Sequence, residues 1–289
     1  MKFNKTLIDT VNQMGCTEYT INKKVLSIIT EKEYFLKGSE RLIHFKSHEE
    51  SELLSKYVEE KNYIKVNEIT VYNSKHFYDI SILNIARLMN NVDKFYITTS
   101  IDWRGRFYTS SCSLNIQGGE VARGLLLFAE GQPLDEKGLY ALKVYTANAY
   151  GLDKKSKKDR VYWVDRHLND IINTPENNLW LSAEEPIIFL ACALELKEYT
   201  KNPYFISRLP ILLDATCNGL QHLSAIANDI NLAERVNISP STDDKTPEDI
   251  YSDLIQPIKD SITTLVKKHP EFYNLSKLNI TFPLPPYGG

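Results

Sequence analysis

Cysteine is scarce: four in 289 residues, at Cys16, Cys112, Cys192 and Cys217, with no paired spacing. That scatter speaks against a disulfide framework and against a Cys-based zinc site, so reduced thiols are expected. No apolar run approaches the roughly 18 residues of a membrane helix, and no membrane partner is expected. The first residues, Met1-Lys2-Phe3-Asn4-Lys5, have neither the apolar core of a signal peptide nor the arginines of a transit peptide. An excess of positive charge is missing too: 34 Lys and Arg stand against 37 Asp and Glu, a formal net charge of -3. Bulk charge therefore does not coat a nucleic acid here, although a local basic channel is compatible with it.

What is present is a chain long enough for one large domain or two, with 43% hydrophobic residues to fill a core. Residues 1–93 read as helical. Leu7, Val11 and Met14 share a face, and Ile21, Val25, Ile28 and Ile29 form a stripe within Thr20–Ile29. Ser47 and Glu50 resemble a capping box, and Ile80 to Leu88 form a helix ended by Asn90 and Asn91. A helix capped by Asp135 is expected to residue 150, and another through Val161, Val164, Leu168 and Ile171, stopped by Asn173 and Pro175. Pro186 falls in the first turn of a buried helix, and Pro247-Glu248-Asp249-Ile250-Tyr251 opens one that runs to about Lys267. The basic run Lys154 to Arg160 reads as a solvated face. The fold class is α+β, mostly helical, with a small antiparallel sheet.

Two stretches carry chemistry. In the first, Ile211-Leu212-Leu213 is a short apolar run after Pro210, read as a strand buried on both faces. Asp214 stands at its end, Thr216 to Gly219 supply turn residues, and Leu220, Leu223, Ala227 and Ile230 recur at helical spacing. A carboxylate there needs a metal ion or a basic group to offset its burial. On spacing alone, a helix cap or turn is the favoured reading of a lone Asp. In the second, Phe95 to Ile101 reads as a strand running into Asp102-Trp103-Arg104-Gly105-Arg106-Phe107-Tyr108. Two arginines and aromatics around a Gly suit phosphate contact plus base stacking. A turn whose arginines are solvated or paired with Asp102 accounts for the same residues equally well.

Resemblance moves both readings. Asp214-Ala215-Thr216-Cys217-Asn218-Gly219-Leu220-Gln221-His222 resembles, in kind and order, the first catalytic-Asp motif of the single-subunit RNA polymerases of bacteriophages, mitochondria and linear mitochondrial plasmids. Asp102 to Tyr108, followed by Gln117-Gly118, resembles the second hallmark of that family. The order Trp180, Ala183-Glu184, Pro186, Phe189-Leu190-Ala191, Glu195 resembles a third, and Tyr19 to Leu26 a shorter segment that leads into the thumb. The abundance of Asn, Lys, Ile and Tyr fits an AT-rich mitochondrial or plasmid gene.

The resemblance implies a right-hand polymerase fragment. Residues 1–93 would be thumb-like, 94–130 and 207–230 palm, 131–206 a helical insertion, and 231–289 the start of the fingers. It implies DNA-directed RNA synthesis from nucleoside triphosphates, with DNA template, RNA product and an accessory transcription factor as partners, in the mitochondrion. Asp214 and the Ala215 carbonyl would hold Mg²⁺. Trp103, Arg104, Arg106, Tyr108, Arg123 and Gly219 would face nucleic acid or nucleotide, with Gln221 and His222 in support. Arg123 would precede a helix beginning Gly124-Leu125-Leu126.

Departures are visible as well. Relatives carry an Arg and a Lys ahead of a Tyr-Gly, whereas Tyr287-Gly288 here follows Pro285-Pro286. The second catalytic Asp, in a His-Asp-Ser hairpin, has no counterpart in the 289 residues, and Asn228-Asp229 replaces a family Arg-Asp. A fragment inactive by itself is therefore expected. Three other readings stay open: a related DNA polymerase, disfavoured by the Asp-Trp-Arg-Gly-Arg motif; a small phosphohydrolase using Asp214, disfavoured by Thr216 where a second carboxylate would stand; and a non-catalytic helical relic that binds nucleic acid.

Overall fold

The computed structural model describes residues 5–31, 55–111, 113–174, 176–213, 217–239 and 244–270. They are mostly helical with small antiparallel sheets, and they divide into two compact units. One contains residues up to Gly151 together with Trp163–Ile211; the other contains Leu152–Tyr162 and the residues from Leu212 onward.

The larger unit begins with α1 (Lys5–Gly15) and β1 (Glu18–Ile21), followed by α2 (Lys23–Glu31). β1 corrects the expected helical stripe at Ile21. Tyr19, Thr20 and Ile21 are buried as a strand between β2 (Phe95–Tyr96) and β5 (Leu126–Phe128). Its register sets Tyr19 against Phe95 on one side and Phe128 on the other, and the Tyr19 and Phe128 rings stack with centroids 5.6 Å apart. The helix starts only after Asn22, whose side chain accepts the Val25 N–H at 3.2 Å. Val25 and Ile29 then enter the core as expected.

α3 (Tyr63–Met89) is capped by Asn62 and ends at Asn90. Ile69, Ile82, Leu83 and Ala86 are its buried apolar residues. The Ser47–Glu50 capping box lies outside the described residues. The strand expected over Phe95 to Ile101 is two strands: β2 joins β1, whereas β3 (Thr99–Ile101) pairs with β4 (Phe107–Thr109) in a separate hairpin. Buried Ile97 lies between them, so one apolar-looking run serves two sheets.

α4 (Glu120–Gly124) leads into β5, which corrects the expected helix at Gly124-Leu125-Leu126. Gly124 permits close packing: a Cβ there would lie 2.6 Å from Ile187 Cγ2. β6 (Gln132–Pro133) pairs with β7 (Ile206–Ser207). α5 (Glu136–Tyr150) starts at Asp135, whose carboxylate accepts the Gly138 N–H at 2.7 Å, and stops at Gly151 with φ 106°. α6 (Lys157–Arg166) and α7 (Leu168–Ile172) replace the single helix expected there. They break at His167, whose Nδ1 lies 2.8 Å from the Trp163 carbonyl oxygen. A 3-10 turn (Leu179–Ser182) then places Trp180 in the core.

α8 (Pro186–Lys201) is the centre of this unit. Ile187 through Ala193 are all buried, so the first turns are apolar on every side, the signature of a helix enclosed by its neighbours. α4, α5, α7, the 3-10 turn and α2 surround it. Trp180 and Phe189 are both fully buried, and Phe189 meets the Tyr150 ring at 5.4 Å.

The smaller unit contains α9 (Asn218–Ala227), α10 (Ile230–Arg235) and α11 (Ile250–Lys268). Asp229 caps α10 through the Leu232 N–H at 3.0 Å, and Asp249 caps α11 through Tyr251 and Ser252. The loop between them is closed by Asn237, whose amide accepts from Glu248 N at 2.9 Å and donates to Glu248 O at 2.8 Å. The basic run behaves as a solvated face at Lys154, Lys155, Lys157 and Lys158; Arg160 turns inward and donates from Nε to the Lys155 carbonyl at 2.8 Å.

Candidate nucleic-acid interface

The β3–β4 hairpin pairs Thr99 with Thr109, Ser100 with Tyr108 and Ile101 with Phe107. Its tip is shaped by one carboxylate. Asp102 Oδ1 accepts the backbone N–H groups of Arg104 at 2.8 Å and Arg106 at 3.0 Å. Gly105 takes φ +82°, which closes the turn at little steric cost. These N–H donors, the Arg106 amide foremost, and then the Arg104 guanidinium hold the Asp102 carboxyl below its ordinary range.

The two arginines differ. Arg104 is held inside the hairpin: Nε reaches Asp102 Oδ2 at 2.9 Å, and a terminal nitrogen donates to Tyr108 Oη at 3.0 Å. Its guanidinium carbon lies 5.7 Å from the Trp103 ring centroid. Arg106 is exposed, and its guanidinium has no partner among the described residues. Trp103 is 89% exposed. An indole this open, beside one held cation and one without a partner among the described residues, offers a stacking face and a phosphate contact together. The turn whose arginines are solvated or paired with Asp102 describes both arginines, since Arg104 is paired and Arg106 is exposed.

Arg123 is elsewhere. It lies in α4 with its side chain only 9% exposed, ion-paired with Glu185 just ahead of α8. Its Nε has no hydrogen-bond partner among the described residues. Beside it the Glu120 carboxyl accepts the Ile187 N–H at 2.5 Å. Burial pushes Glu120 up to about 7, and Glu185 adds repulsion, against the lowering effects of the Ile187 N–H and Arg123. Sequence reading named Arg123 without this acidic pair; the only signal available was the carboxylate placed just before Pro186.

The stretch around Asp214 departs from expectation where it is described. Ile211, Leu212 and Leu213 are neither a strand nor buried, with exposures of 36%, 47% and 90%. β7 ends at Ser207, and no described strand lies alongside these three residues. Asp214 and Ala215 lie outside the described residues, as does any groove that Asp214 would share with Arg106. α9 follows from Cys217, which has a left-handed φ of 47°. Gly219 is exposed, and a Cβ on it would meet nothing within 4 Å. Gln221 donates from Nε2 to the Val236 carbonyl at 2.7 Å and so ties α9 to the end of α10. His222, expected to pack or hydrogen-bond, is exposed. Among the described residues no three His, Cys, Asp or Glu side chains converge to hold a metal ion, so no metal-assisted step is assigned to them.

Sequence reading also quoted Gln117 without giving it a task. Its carboxamide bonds β4 on both sides of Tyr108, to Phe107 O and Thr109 N.

Known proteins resemble most of this chain. A family model for DNA-dependent RNA polymerase matches residues 132–281. A probable DNA-directed RNA polymerase of Neurospora crassa is 52% identical over 282 residues, 97% of this chain and 31% of that protein. The mitochondrial DNA-directed RNA polymerase 1 of Arabidopsis thaliana is 32% identical over 92% of this chain and 29% of its own length. A mitochondrial DNA-directed RNA polymerase of Neurospora crassa is 39% identical over 71% of this chain and 15% of its own length. The chain thus spans less than a third of the length of these curated relatives. With the family match covering β6 through α11 and the Asp-Trp-Arg-Gly-Arg hairpin standing ahead of it, this chain belongs to the single-subunit DNA-dependent RNA polymerase family.

Proposed function

We propose that this chain is part of an enzyme that builds RNA on a DNA template from nucleoside triphosphates, and that the β3–β4 hairpin holds nucleic acid. The observation that carries the reading is the pairing of exposed Trp103 with Arg106, exposed and without a side-chain partner among the described residues, on a turn fixed by Asp102. Arg104 and Tyr108 serve as the held side of that face. Arg123 acts through the scaffold, as a buried link from α4 to the start of α8.

Under this reading residues 1–93 are thumb-like, 94–130 and 207–230 belong to the palm, 131–206 are an insertion, and 231–289 begin the fingers. Asp214 and the Ala215 carbonyl contribute oxygen ligands to Mg²⁺, which when bound neutralises charge on the phosphoryl group being transferred. Gly219 leaves the first turn of α9 bare for close approach of a nucleic-acid backbone, while Gln221 supports that helix through the Val236 carbonyl. Mitochondrial transcription is proposed from the names of the relatives, with a linear plasmid as the finer source and an accessory transcription factor as a further partner.

The test is binding of the 289-residue chain to a fluorescent RNA-primed DNA template at stepped salt concentrations. Weak, salt-sensitive binding without nucleotide addition is expected, because the sequence contains no His-Asp-Ser to supply a second carboxylate. Trp103→Ala and Arg106→Ala should each weaken binding at least several-fold. Binding by both variants equal to wild type would refute the hairpin assignment.

A further inference from the structure

β4 is an edge strand. Arg106 O and Ser110 N bond back to Asp102 and Thr98 on the β3 side, at 2.9 and 2.8 Å. By the alternation of an antiparallel ladder, the carbonyl of Phe107 and the N–H of Thr109 face the opposite edge, where the hairpin has no third strand among the described residues. Gln117 occupies that edge. Its Oε1 accepts the Thr109 N–H at 2.8 Å and its Nε2 donates to the Phe107 carbonyl at 3.0 Å. One carboxamide thus supplies the acceptor and donor of a neighbouring strand. Only one orientation of the amide satisfies both partners.

Gln117 is itself anchored. Its N–H bonds Asn115 Oδ1 at 2.9 Å, and buried Asn115 donates to the Ser111 carbonyl at 3.0 Å. Gly118 follows and packs tightly: a Cβ there would lie 3.0 Å from Ala122 Cβ in α4. α4 in turn packs on α8, the centre of the unit. The turn carrying Gln117 therefore connects the exposed hairpin to the rigid core.

We infer that Gln117 is a positioning residue: its carboxamide replaces a missing strand beside β4 and fixes the turn that presents Trp103 and Arg106 to nucleic acid. The inference rests on the hairpin reading proposed above. Glutamate at this position is the informative substitution. Its carboxylate still accepts the Thr109 N–H, but it sets negative charge against the Phe107 carbonyl; protonation restores a donor.

The experiment measures primed-template affinity of the full chain as wild type, Trp103→Ala, Arg106→Ala, Gln117→Ala and Gln117→Glu, between about pH 5 and pH 8. Amide exchange of a peptide spanning the hairpin is followed in parallel. Gln117→Ala should weaken binding about tenfold and speed exchange at Thr109 by a similar factor, since that N–H loses its partner. Gln117→Glu should be as weak at pH 8 and recover toward wild type near pH 5, relative to wild type at each pH. If Trp103→Ala and Arg106→Ala weaken binding while both Gln117 variants match wild type in affinity and exchange, the positioning role is wrong. If none of the four substitutions affects binding, the hairpin reading itself falls. Should Gln117→Ala fail to fold, the pH response of Gln117→Glu decides: a deficit equal at both ends of the range overturns the inference.

Discussion

Asp102 Oδ2 meets two nitrogens of Arg104, Nε at 2.9 Å and a terminal nitrogen at 2.8 Å, while Oδ1 takes the N–H groups of Arg104 and Arg106. One carboxylate thereby accepts three hydrogen bonds and ion-pairs Arg104, leaving Arg106 as the guanidinium of the motif with no partner among the described residues. The charge available to a phosphate is that of Arg106, and the position of Trp103 depends on the turn that Asp102 closes.

Removing that carboxylate should therefore cost more than its charge. Asp102→Ala strips the acceptor from both N–H groups and frees Arg104, so primed-template affinity should fall about tenfold or more. Asp102→Asn keeps an acceptor for the N–H groups and should fall between wild type and Ala. Equal affinity for Asn and Ala in the anisotropy titration would mean that only the charge matters.

Two glycines separate backbone strain from collision. Gly105→Ala meets no atom within 4 Å but must hold φ +82°, and should lower stability by about 1 kcal/mol. A Cβ on Gly131 would lie 2.6 Å from the Ser207 carbonyl oxygen and 2.5 Å from Ile206 Cγ2. Gly131→Ala should therefore cost more, at least about 2 kcal/mol, because backbone must move. Chemical denaturation of the two variants gives the ranking, and the reverse order would contradict the packing of β6 against β7.

Stability should fall as pH rises from about 4.5 to 7. Glu120 is raised by burial to about 7 from 4.5, so over that interval the folded chain keeps a proton that the unfolded chain releases. The stabilisation is complete below the unfolded value and lost through the folded one, on the order of 3 kcal/mol for this group. Asp79, raised by burial to about 6 against the lowering effect of Lys75, adds in the same direction. Glu120→Gln should flatten most of the slope in urea midpoints measured between pH 4.5 and 7.5; an unchanged slope would place the titration elsewhere.

In a complete enzyme carrying these segments, Asp214→Asn should abolish RNA synthesis and leave template binding nearly intact. The substitution keeps the shape and removes the charge proposed to hold Mg²⁺. Primer extension at high Mg²⁺ is the measurement, and extension near the wild-type rate would remove Asp214 from the chemistry.

The sequence by itself determined the elements whose signals are local. Asp135 and Pro186 announced α5 and α8, Asn90 the end of α3, and Pro247 to Tyr251 the start of α11, because caps and helical spacing are set within a few residues. A turn at Asp102 to Arg106 was also legible as one alternative, but not the second strand, Phe107–Thr109, that makes it a hairpin. Tertiary structure decided what depends on distant partners. Glu18–Ile21 is a strand because Phe95 and Phe128, far along the chain, flank Tyr19, although Ile21 also falls in register with the helical stripe of Val25 and Ile28. Ile211 to Leu213 look like a buried strand, yet they are exposed, with no strand beside them among the described residues. Arg123 and Arg106 are both arginines that the resemblance set toward nucleic acid. Glu185 pairs with buried Arg123, and among the described residues no carboxylate pairs with Arg106, because an ion pair is chosen by which charges the fold brings together.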